Sequence, residues 1–245
     1  MTPPVFLVAT AELAADRVTV DGAEGRHAAV VRRIREGEAV DLSDGLGLRA
    51  RCTVTDVGRD HIVCAVVERR EEPEPRPRLT VVQALPKGDR GELAVEMMTE
   101  AGADAVVPWA AERCVTRWKG DRAAKALAKW RATAREAAKQ ARRARLPEVA
   151  DLADRSAVAA LLAGADLGIV LHEDGASRLS ELEPPTGEGP GVVLVVGPEG
   201  GFSDAELEAF AAAGAVRAIL GPSVLRTSTA GVAALSVLQA RTGRW

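Results

Sequence analysis

Two glycine-containing turns carry the residues of this chain best suited to binding a ligand. The first, Gly197-Pro198-Glu199-Gly200-Gly201, follows the apolar run GVVLVV and precedes a helical pattern. The second spans residues 220–230, follows the apolar run VRAIL and also precedes a helical pattern. Turns between a strand and a helix lie at the carboxyl ends of strands, where open α/β sheets bind their ligands. Both turns are therefore candidate ligand turns.

A carboxylate inside the first turn limits the kind of ligand. Turns that bind phosphate direct backbone N–H groups at a negative charge, and Glu199 would repel that charge. A cationic ligand fits better, with backbone amides and carbonyls available to a purine and a ribose. The sequence has no GxxxxGK[ST], GxSxG or HExxH motif, and no GxGxxG follows a predicted strand. The common sites for nucleoside triphosphates, dinucleotides and hydrolysis are therefore not expected.

A charged, proline-containing segment divides the sequence. RREEPEPRPR, residues 69–78, has the composition of an exposed linker, so we predict domains at 1–72 and 79–245 joined by a linker at 73–78. The first domain contains the β-rich runs RVTV, AVDLSD, LRARCTVTDV and HIVCAVVERR, which favour a small barrel or sandwich with one helical insert, GRHAAVVRRIR. In the second domain, apolar runs alternate with helical patterns, which predicts an α/β domain with a largely parallel sheet.

Five helices are predicted in the second domain, over residues 89–101, 122–145, 155–163, 203–213 and 228–241. Ser203 and Glu206 have the spacing of a capping box, so a helix should begin directly after the first turn. In the helix at 122–145, a 3.6-residue period gathers apolar side chains on one face: Leu127, Trp130, Ala134, Ala137 and Ala141. The opposite face is basic and is expected to meet solvent or a polyanion: Lys125, Lys129, Arg135, Lys139 and Arg143.

Charge is distributed unevenly along a chain whose net charge is -3. Residues 26–35 hold four arginines and a histidine without an acid, and residues 125–145 hold eight basic residues against the single acid Glu136. Local basic faces on an acidic chain fit a protein that binds a polyanion at one surface. The alternative, that these residues are solvated helix faces, stays open.

Cysteine usage and hydropathy indicate the compartment. Cys52, Cys64 and Cys114 form no CxxC pair and have no metal-ligand spacing to a histidine, which favours a reducing cytoplasm and no structural metal. The N-terminus lacks a basic leader, and no apolar run approaches the roughly 20 residues of a membrane helix. We therefore expect a soluble cytoplasmic protein that is neither exported nor anchored.

The residues of both turns match a known family. The segment GPEGGFS at 197–203, with LG at 220–221, LRT at 225–227 and TA at 229–230, closely resembles the RsmE family of 16S ribosomal RNA (uracil-N3) methyltransferases. This family belongs to the SPOUT superfamily, whose cofactor is S-adenosylmethionine. The resemblance continues in ALPKGDRGELAVEMMTEAGADAVVPWAAERC, EAAKQARRARLPEV and RHAAVVRRIREGEAVDLSDGLG, so it covers nearly the whole chain.

The resemblance implies an architecture and a cofactor site. It implies a PUA-like N-terminal β-barrel, a C-terminal SPOUT-type α/β domain with a trefoil knot, and an obligate homodimer whose partner helps complete the RNA-facing site. Three loops would enclose the cofactor. Carried over by motif, they contain Leu171 and His172; Gly197, Pro198, Glu199, Gly200 and Gly201; and Leu220, Gly221, Leu225, Arg226, Thr227, Ser228 and Ala230.

Only a few of these residues are candidates for a catalytic role. Arg226 is the candidate that stabilises negative charge on the uracil oxygens, with a loop-closing salt bridge as its alternative role. Many relatives have glutamate where this chain has Ser228, and a serine cannot replace a carboxylate as a base. The proton acceptor therefore stays open. Glu199 is the alternative acid, but it could instead accept hydrogen bonds from loop amides or contact the cofactor. His172 could act directly or cap local backbone.

RNA contacts are assigned to basic residues in both domains. On the barrel they are Arg26, His27, Arg32, Arg33 and Arg35, which would contact phosphates. Lys87 and Arg90 are the candidates near the domain junction, and they could instead pair with Asp89 and Glu92. Trp109, Trp118 and Trp130 are assigned to core or dimer packing rather than to base stacking.

The function predicted on this basis is methylation of uridine N3 in 16S ribosomal RNA, with S-adenosylmethionine as cofactor and without a metal. The substrate would be the naked RNA or the small ribosomal subunit, with no DNA or membrane partner. Two alternatives remain. One is a knotted methyltransferase acting on a ribose 2'-hydroxyl, and the other is a non-catalytic RNA-binding factor in ribosome assembly.

Overall fold

The computed structural model describes residues 2–245, and its internal contacts divide the chain into two units. The N-terminal unit comprises the residues up to Glu74 together with Ala138–Leu146. The C-terminal unit comprises Pro75–Ala137 and Pro147–Trp245. Residues 138–146, which the sequence analysis assigned to the second domain, thus group with the first unit.

The N-terminal unit is built on one five-stranded sheet. Its elements are β1 (Val5–Leu7), β2 (Arg17–Val20), α1 (Gly22–Arg26), β3 (Ala39–Ser43), β4 (Leu48–Val57) and β5 (Ile62–Glu71). The strand order is β1-β3-β4-β5-β2, with β1 parallel to β3 and the other pairs antiparallel. Alternate apolar side chains of these strands form the core of the unit: Val18, Val20, Val40, Leu42, Cys52, Val54, Ile62 and Cys64. The four predicted β-rich runs are all strands.

The basic insert between β2 and β3 is less helical than its sequence predicts. α1 ends at Arg26 and continues as one π-helical turn over His27–Val31. Arg33 has a φ of 52°, in the left-handed region, so the helical path ends there rather than at Arg35. The side chains of Arg32 and Arg33 are left exposed.

The C-terminal unit contains a parallel seven-stranded sheet in the order β10-β12-β9-β11-β6-β7-β8. Its strands are β6 (Leu79–Ala84), β7 (Ala105–Trp109), β8 (Glu148–Val149), β9 (Leu167–Leu171), β10 (Ser177–Arg178), β11 (Val192–Val196) and β12 (Val216–Ile219). Its helices are α2 (Arg90–Glu100), α3 (Asp121–Gln140), α4 (Arg155–Ala163), α5 (Asp204–Ala212) and α6 (Thr227–Arg241), with the last residues of α3 in the other unit. The predicted α/β class and parallel sheet are confirmed.

Burial explains why the central strands read as continuous apolar runs. Every residue of β6, β7 and β11 is buried, as expected for parallel strands covered on both faces. Trp109 at the end of β7 is fully buried, stacks on Phe202 at 5.6 Å between ring centroids and meets Phe210 edge-on at 5.4 Å. Trp118 and Trp130 pack edge-on at 5.1 Å. The assignment of these tryptophans to packing is thus confirmed for the core.

The buried face of α3 is the predicted one, whereas the helix ends earlier than predicted. Trp130, Ala134 and Ala137 are buried as predicted. The helix ends at Gln140, and Arg142 takes a φ of 56°, so Ala141 lies outside the helix and is exposed. The continuation to residue 145 is therefore wrong.

Lys139 corrects the prediction of a free basic face. Its side chain is only 5% exposed, and its ammonium lies 2.9 Å from the carboxylate of Glu24 within the N-terminal unit. Removing one member of such a pair leaves an uncompensated buried charge, which costs about 3–5 kcal/mol. Lys139 therefore stabilises the fold instead of meeting solvent or RNA.

The three cysteines are buried free thiols. Burial raises the pKa of Cys52 to about 11 and that of Cys64 to about 12, chiefly because a thiolate loses its hydration there. Among the described residues, no group of His, Cys, Asp and Glu side chains could hold a metal ion. No helix in residues 2–245 combines the length and apolar character needed to cross a membrane.

The raised thiol pKa values predict alkaline destabilisation. As the pH rises from 9 toward 11, the unfolded chain loses thiol protons that folded Cys52 and Cys64 retain, so the free energy of unfolding falls. Urea denaturation at several alkaline pH values, followed by circular dichroism, measures this slope. The variant with Cys52→Ala and Cys64→Ala should have a shallower slope, and an unchanged slope would contradict the assignment.

Candidate active site

A cavity of about 740 Å³ opens at the carboxyl ends of three neighbouring strands of the C-terminal unit. β9 lies between β12 and β11 in the sheet. Leu171, the last residue of β9, pairs with Val196 of β11 on one side and Ala218 of β12 on the other. Because the three strands end at nearly the same level, the loops that follow them converge on one space.

The cavity brings together nearly all the residues predicted to bind a cofactor. Its lining includes Leu171, His172, Gly197, Pro198, Glu199, Gly200, Gly201, Leu220, Gly221, Leu225, Arg226, Thr227 and Ala230. Ser228 is the exception: it is buried in the first turn of α6 and does not line the cavity. The two turns singled out in the sequence thus belong to one site.

Backbone conformation explains one glycine of the first turn, and close packing explains another. The N–H of Gly201 donates to the carbonyl of Pro198 at 2.9 Å, and Gly201 has a φ of 71°, which side chains rarely tolerate. A Cβ at Gly197 would lie 2.6 Å from the ring of Phe202. Phe202 itself stacks on Trp109, so the turn is seated directly on the aromatic core.

The predicted capping box is confirmed and has an additional partner. The Ser203 hydroxyl accepts from the N–H of Glu206, and Oε2 of Glu206 accepts from the N–H of Ser203 at 2.8 Å. Oε1 of Glu206 accepts from the N–H of Glu112 at 2.7 Å. One buried carboxylate therefore fixes the start of α5, directly after the first turn, and also the loop after β7.

Glu199 accepts a hydrogen bond from another segment of the protein. Its Oε1 accepts a hydrogen bond from the backbone N–H of Lys87 at 3.2 Å, while the residue remains exposed at the cavity. Of the roles considered from sequence, acceptance from a loop amide is the one present in the structure. The bond joins the first turn to the segment between β6 and α2.

His172 is also engaged with nearby backbone. Its backbone N–H donates to the carbonyl of Ala218 at 3.0 Å, and its ring Nδ1 accepts from the backbone N–H of Asp174 at 3.1 Å. With Nδ1 as the acceptor, a neutral ring carries its proton on Nε2. The local-capping role considered from sequence is therefore the role present in the structure.

Arg226 extends an exposed side chain from the N-terminus of α6. Its carbonyl accepts from the N–H groups of Thr229 and Ala230, both at 2.9 Å, which begins the helix. Within residues 2–245 its guanidinium makes no hydrogen bond or ion pair, so the loop-closing salt bridge is absent from this structure. The cation is left available at the cavity.

The first turn of α6 is held from behind by β6. Nε2 of Gln83 donates to the carbonyls of Ala84 at 3.0 Å and Thr227 at 3.4 Å. A Cβ at Gly231 would lie 2.7 Å from the sulfur of Met98, so glycine allows α6 to approach α2 closely. Ser228 lies three residues before Gly231 and shares its helix face. Ser228 therefore lies on the face of α6 that packs into the interior of the unit rather than on the cavity side.

Several cavity residues were missed by the sequence analysis. They are Arg113, Glu173, Val196, Phe202, Ala218, Ile219, Pro222, Ser223 and Val224. Most are neighbours of predicted residues and could have been included by adjacency. Arg113 is different, because it comes from the loop after β7; its only signal was its place in the segment AERC, which forms part of the family resemblance.

The residues predicted to contact RNA are distributed over both units. In the N-terminal unit Arg26, Arg32, Arg33 and Arg35 are exposed and form no ion pair within the described chain. His27 is half-buried and packs edge-on against Phe6 at 5.9 Å. In the C-terminal unit the Lys87 side chain is exposed, Arg90 begins α2, and Glu92 pairs with Lys129 rather than with either of them.

Comparison with protein families assigns both parts of the chain. A family model described as an RNA methyltransferase domain matches residues 72–239, and one described as an RNA methyltransferase PUA domain matches residues 20–67. The ribosomal RNA small subunit methyltransferase E of Mycobacterium tuberculosis (strain CDC 1551 / Oshkosh) is 46% identical over 250 residues, covering 100% of this chain and 94% of the relative. The chain belongs to the ribosomal RNA small subunit methyltransferase E family.

More distant members agree with this family assignment. The Bacillus subtilis (strain 168) methyltransferase E is 31% identical over 230 residues, which cover 91% of this chain and 90% of the relative. The crystal structure of the Neisseria gonorrhoeae methyltransferase E, bound to S-adenosyl methionine, superimposes with a TM-score of 0.85 at 27% identity. That match covers 98% of both chains. The family fold therefore extends over both units.

Glu206 is predicted to be a stability determinant of the site. Glu206→Ala leaves the N–H groups of Ser203 and Glu112 without their partner, so we expect the free energy of unfolding to fall by about 2–3 kcal/mol. Urea denaturation followed by tryptophan fluorescence measures the loss, because Trp109 packs against Phe210 of the same helix. Glu208→Ala, on the exposed side of α5, is the matched control. Equal stability of the two variants would refute this role of Glu206.

Proposed function

We propose that this protein transfers a methyl group from S-adenosylmethionine to N3 of a uridine in 16S ribosomal RNA. The observation that carries the proposal is the cavity at the ends of β9, β11 and β12. It is lined by the turns whose residues resemble those of uracil-N3 methyltransferases, in a chain 46% identical to a ribosomal RNA small subunit methyltransferase E over its full length.

The cavity has properties suited to this cofactor. Its volume of about 740 Å³ is within the range of roughly 300–1,000 Å³ usual for small-molecule sites. The carboxylates of Glu173 and Glu199 line it, and a positively charged sulfonium is compatible with them. Glycine turns leave backbone groups accessible to the adenine and ribose. When bound, the cofactor supplies a methyl carbon already activated by the positive charge on sulfur.

The protein then has two tasks, to position the base and to stabilise its anion. Holding two reactants in line accounts for a large part of the rate enhancement of a transfer reaction. Arg226 is proposed to donate to a uracil oxygen as negative charge develops there, which favours loss of the N3 proton. Because Ser228 is buried away from the cavity, we assign it no part in proton transfer; the proton leaves through another group or water.

RNA binding is proposed for residues 1–72, joined through 73–78 to the catalytic domain at 79–245. Support comes from the PUA family match and from exposed Arg26, Arg32, Arg33 and Arg35, which carry no internal ion pair within the described residues. Such cations bind phosphates and position the RNA without selecting the base. A ribosomal substrate is consistent with a cytoplasmic protein and gives no role to DNA.

A trefoil knot and a homodimer are also proposed. They are implied by the resemblance to the SPOUT superfamily. The sheet order is compatible with the knot, since β12 joins β9 on the side opposite β11 and the chain then returns through α6 to pack on α2 and β6. Exposed Val224 and Leu225, in the loop before α6, are compatible with coverage by a second copy.

The reaction is tested with labelled S-adenosylmethionine and either naked 16S ribosomal RNA or small subunits lacking the modification. Mass spectrometry of the nucleosides should identify N3-methyluridine, and the two substrates report which form of the RNA is used. A methyl group on ribose would favour the 2'-hydroxyl alternative. Absence of both methyl transfer and S-adenosylhomocysteine binding would favour a non-catalytic assembly factor.

Arg226→Ala should lower turnover severely with only a modest loss of cofactor affinity. Removing one such charge-stabilising donor typically lowers kcat by about 10²–10³-fold. Single-turnover rates and calorimetry with S-adenosylhomocysteine measure the two quantities separately. Arg217→Ala removes an exposed arginine of β12 outside the cavity lining and is the control. Retained activity of Arg226→Ala would refute the proposed role.

A further inference from the structure

A second cation, Arg113, reaches the cavity from outside the three loops that follow β9, β11 and β12. Its Nη1 donates to the carbonyl of Gly200 at 3.4 Å. A Cβ at Gly200 would lie 3.0 Å from both Cβ and the carbonyl oxygen of Arg113. The absence of a side chain at position 200 therefore lets Arg113 lie directly against the first turn.

The loop that carries Arg113 is fixed on both sides. Before it, the N–H of Glu112 donates to Glu206 at 2.7 Å. After it, the Thr116 hydroxyl donates to the carbonyl of Pro86 at 2.7 Å. Arg117 folds back and donates to the carbonyls of Ala111 at 2.7 Å and Glu112 at 2.6 Å. The backbone under Arg113 is thus held in place, which a positioned binding group requires.

The charges around the cavity leave Arg113 without an internal counterion. The ionisable side chains that line the cavity besides Arg113 are His172, Glu173, Glu199 and Arg226. Within residues 2–245 Arg113 forms no ion pair, and its bond to Gly200 uses only one of the five N–H donors of a guanidinium. The remaining donors are available to a ligand. Two unpaired guanidiniums at one cavity favour an anion with two acceptor oxygens.

The uracil anion formed in the reaction has two such acceptor oxygens. When the N3–H bond of uracil breaks and the proton passes to water, the negative charge spreads onto O2 and O4, which lie on either side of N3. The N3 electron pair then forms the bond to the methyl carbon as the carbon–sulfur bond breaks, and that pair stays on sulfur. The anion carries a single charge shared by both oxygens. A guanidinium at one oxygen leaves the other without a donor, and a second guanidinium can donate to it.

We propose that Arg113 binds one carbonyl oxygen of the target uracil and, together with Arg226, stabilises the N3 anion. This inference rests on the proposed function and identifies a residue that contacts the substrate base. The cofactor carboxylate is the other anion that Arg113 could meet. Exposure favours the base: Pro198 is buried, whereas Glu199 and Gly200, against which Arg113 lies, are exposed to the solvent from which an RNA nucleotide arrives.

The test compares Arg113→Gln with the wild type on RNA containing uridine or 5-fluorouridine at the target position. Fluorine withdraws electrons and makes N3 more acidic without help from the enzyme. We expect Arg113→Gln to lower kcat on uridine by roughly 10²-fold and to move the rise of the pH–rate profile to higher pH. 5-Fluorouridine should restore much of the loss, and Arg113→Lys should retain part of the rate.

Two controls separate this role from a structural one. Calorimetry with S-adenosylhomocysteine should give the same Kd for Arg113→Gln and the wild type. Lys119→Gln removes a nearby exposed charge outside the cavity lining and should leave kcat and the pH profile unchanged.

Three results would overturn the inference. A weakened Kd, with equal losses on uridine and 5-fluorouridine, would assign Arg113 to the cofactor carboxylate or to support of the turn. Wild-type kinetics for Arg113→Gln would assign it to solvated surface. If the wild type itself does not methylate N3, the proposed function fails, and this inference fails with it.

Discussion

The register of three parallel strands is the constraint on which the site depends. Pairing of Leu171 with both Val196 and Ala218 ends β9, β11 and β12 at one level. Loops from distant parts of the sequence then start from neighbouring points on the sheet. A slip of one residue would turn every side chain of a strand to the opposite face and separate these starting points. Because every residue of β11 is packed in the core, such a slip would require repacking on both faces of the sheet.

Carboxylates that accept hydrogen bonds from backbone N–H groups position much of the rest of the site. Glu206 joins the start of α5 to the loop after β7, and Glu199 joins the first turn to the segment before α2. A carboxylate has two acceptor oxygens, so one side chain can join two segments that share no sheet pairing. The site is therefore braced by acids, while its arginines Arg113 and Arg226 form no ion pair within residues 2–245.

Local signals in the sequence predicted most of the strands and helices and the two turns of the site, and the family resemblance supplied its named residues. Apolar runs predicted the central strands, the Ser203–Glu206 spacing predicted the start of α5, and glycine turns predicted the loops after β11 and β12. The loop after β9 was assigned from the family resemblance. Contacts between residues far apart in sequence were not accessible in this way. Lys139 has helical surface spacing, and only the position of Glu24, 115 residues earlier, makes it a buried residue. Arg113 and the inward orientation of Ser228 likewise depend on which elements are neighbours in the fold.

The buried pair of Lys139 and Glu24 has a consequence for how the chain is made. Because residues 138–146 belong to the N-terminal unit, that unit is discontinuous in sequence. During synthesis its five strands leave the ribosome long before its last segment, which begins with the final residues of α3. The unit therefore cannot complete its packing until about two fifths of the C-terminal unit, Pro75–Ala137, has been translated. The order of synthesis thus makes completion of the N-terminal unit wait for the first segment of the C-terminal unit.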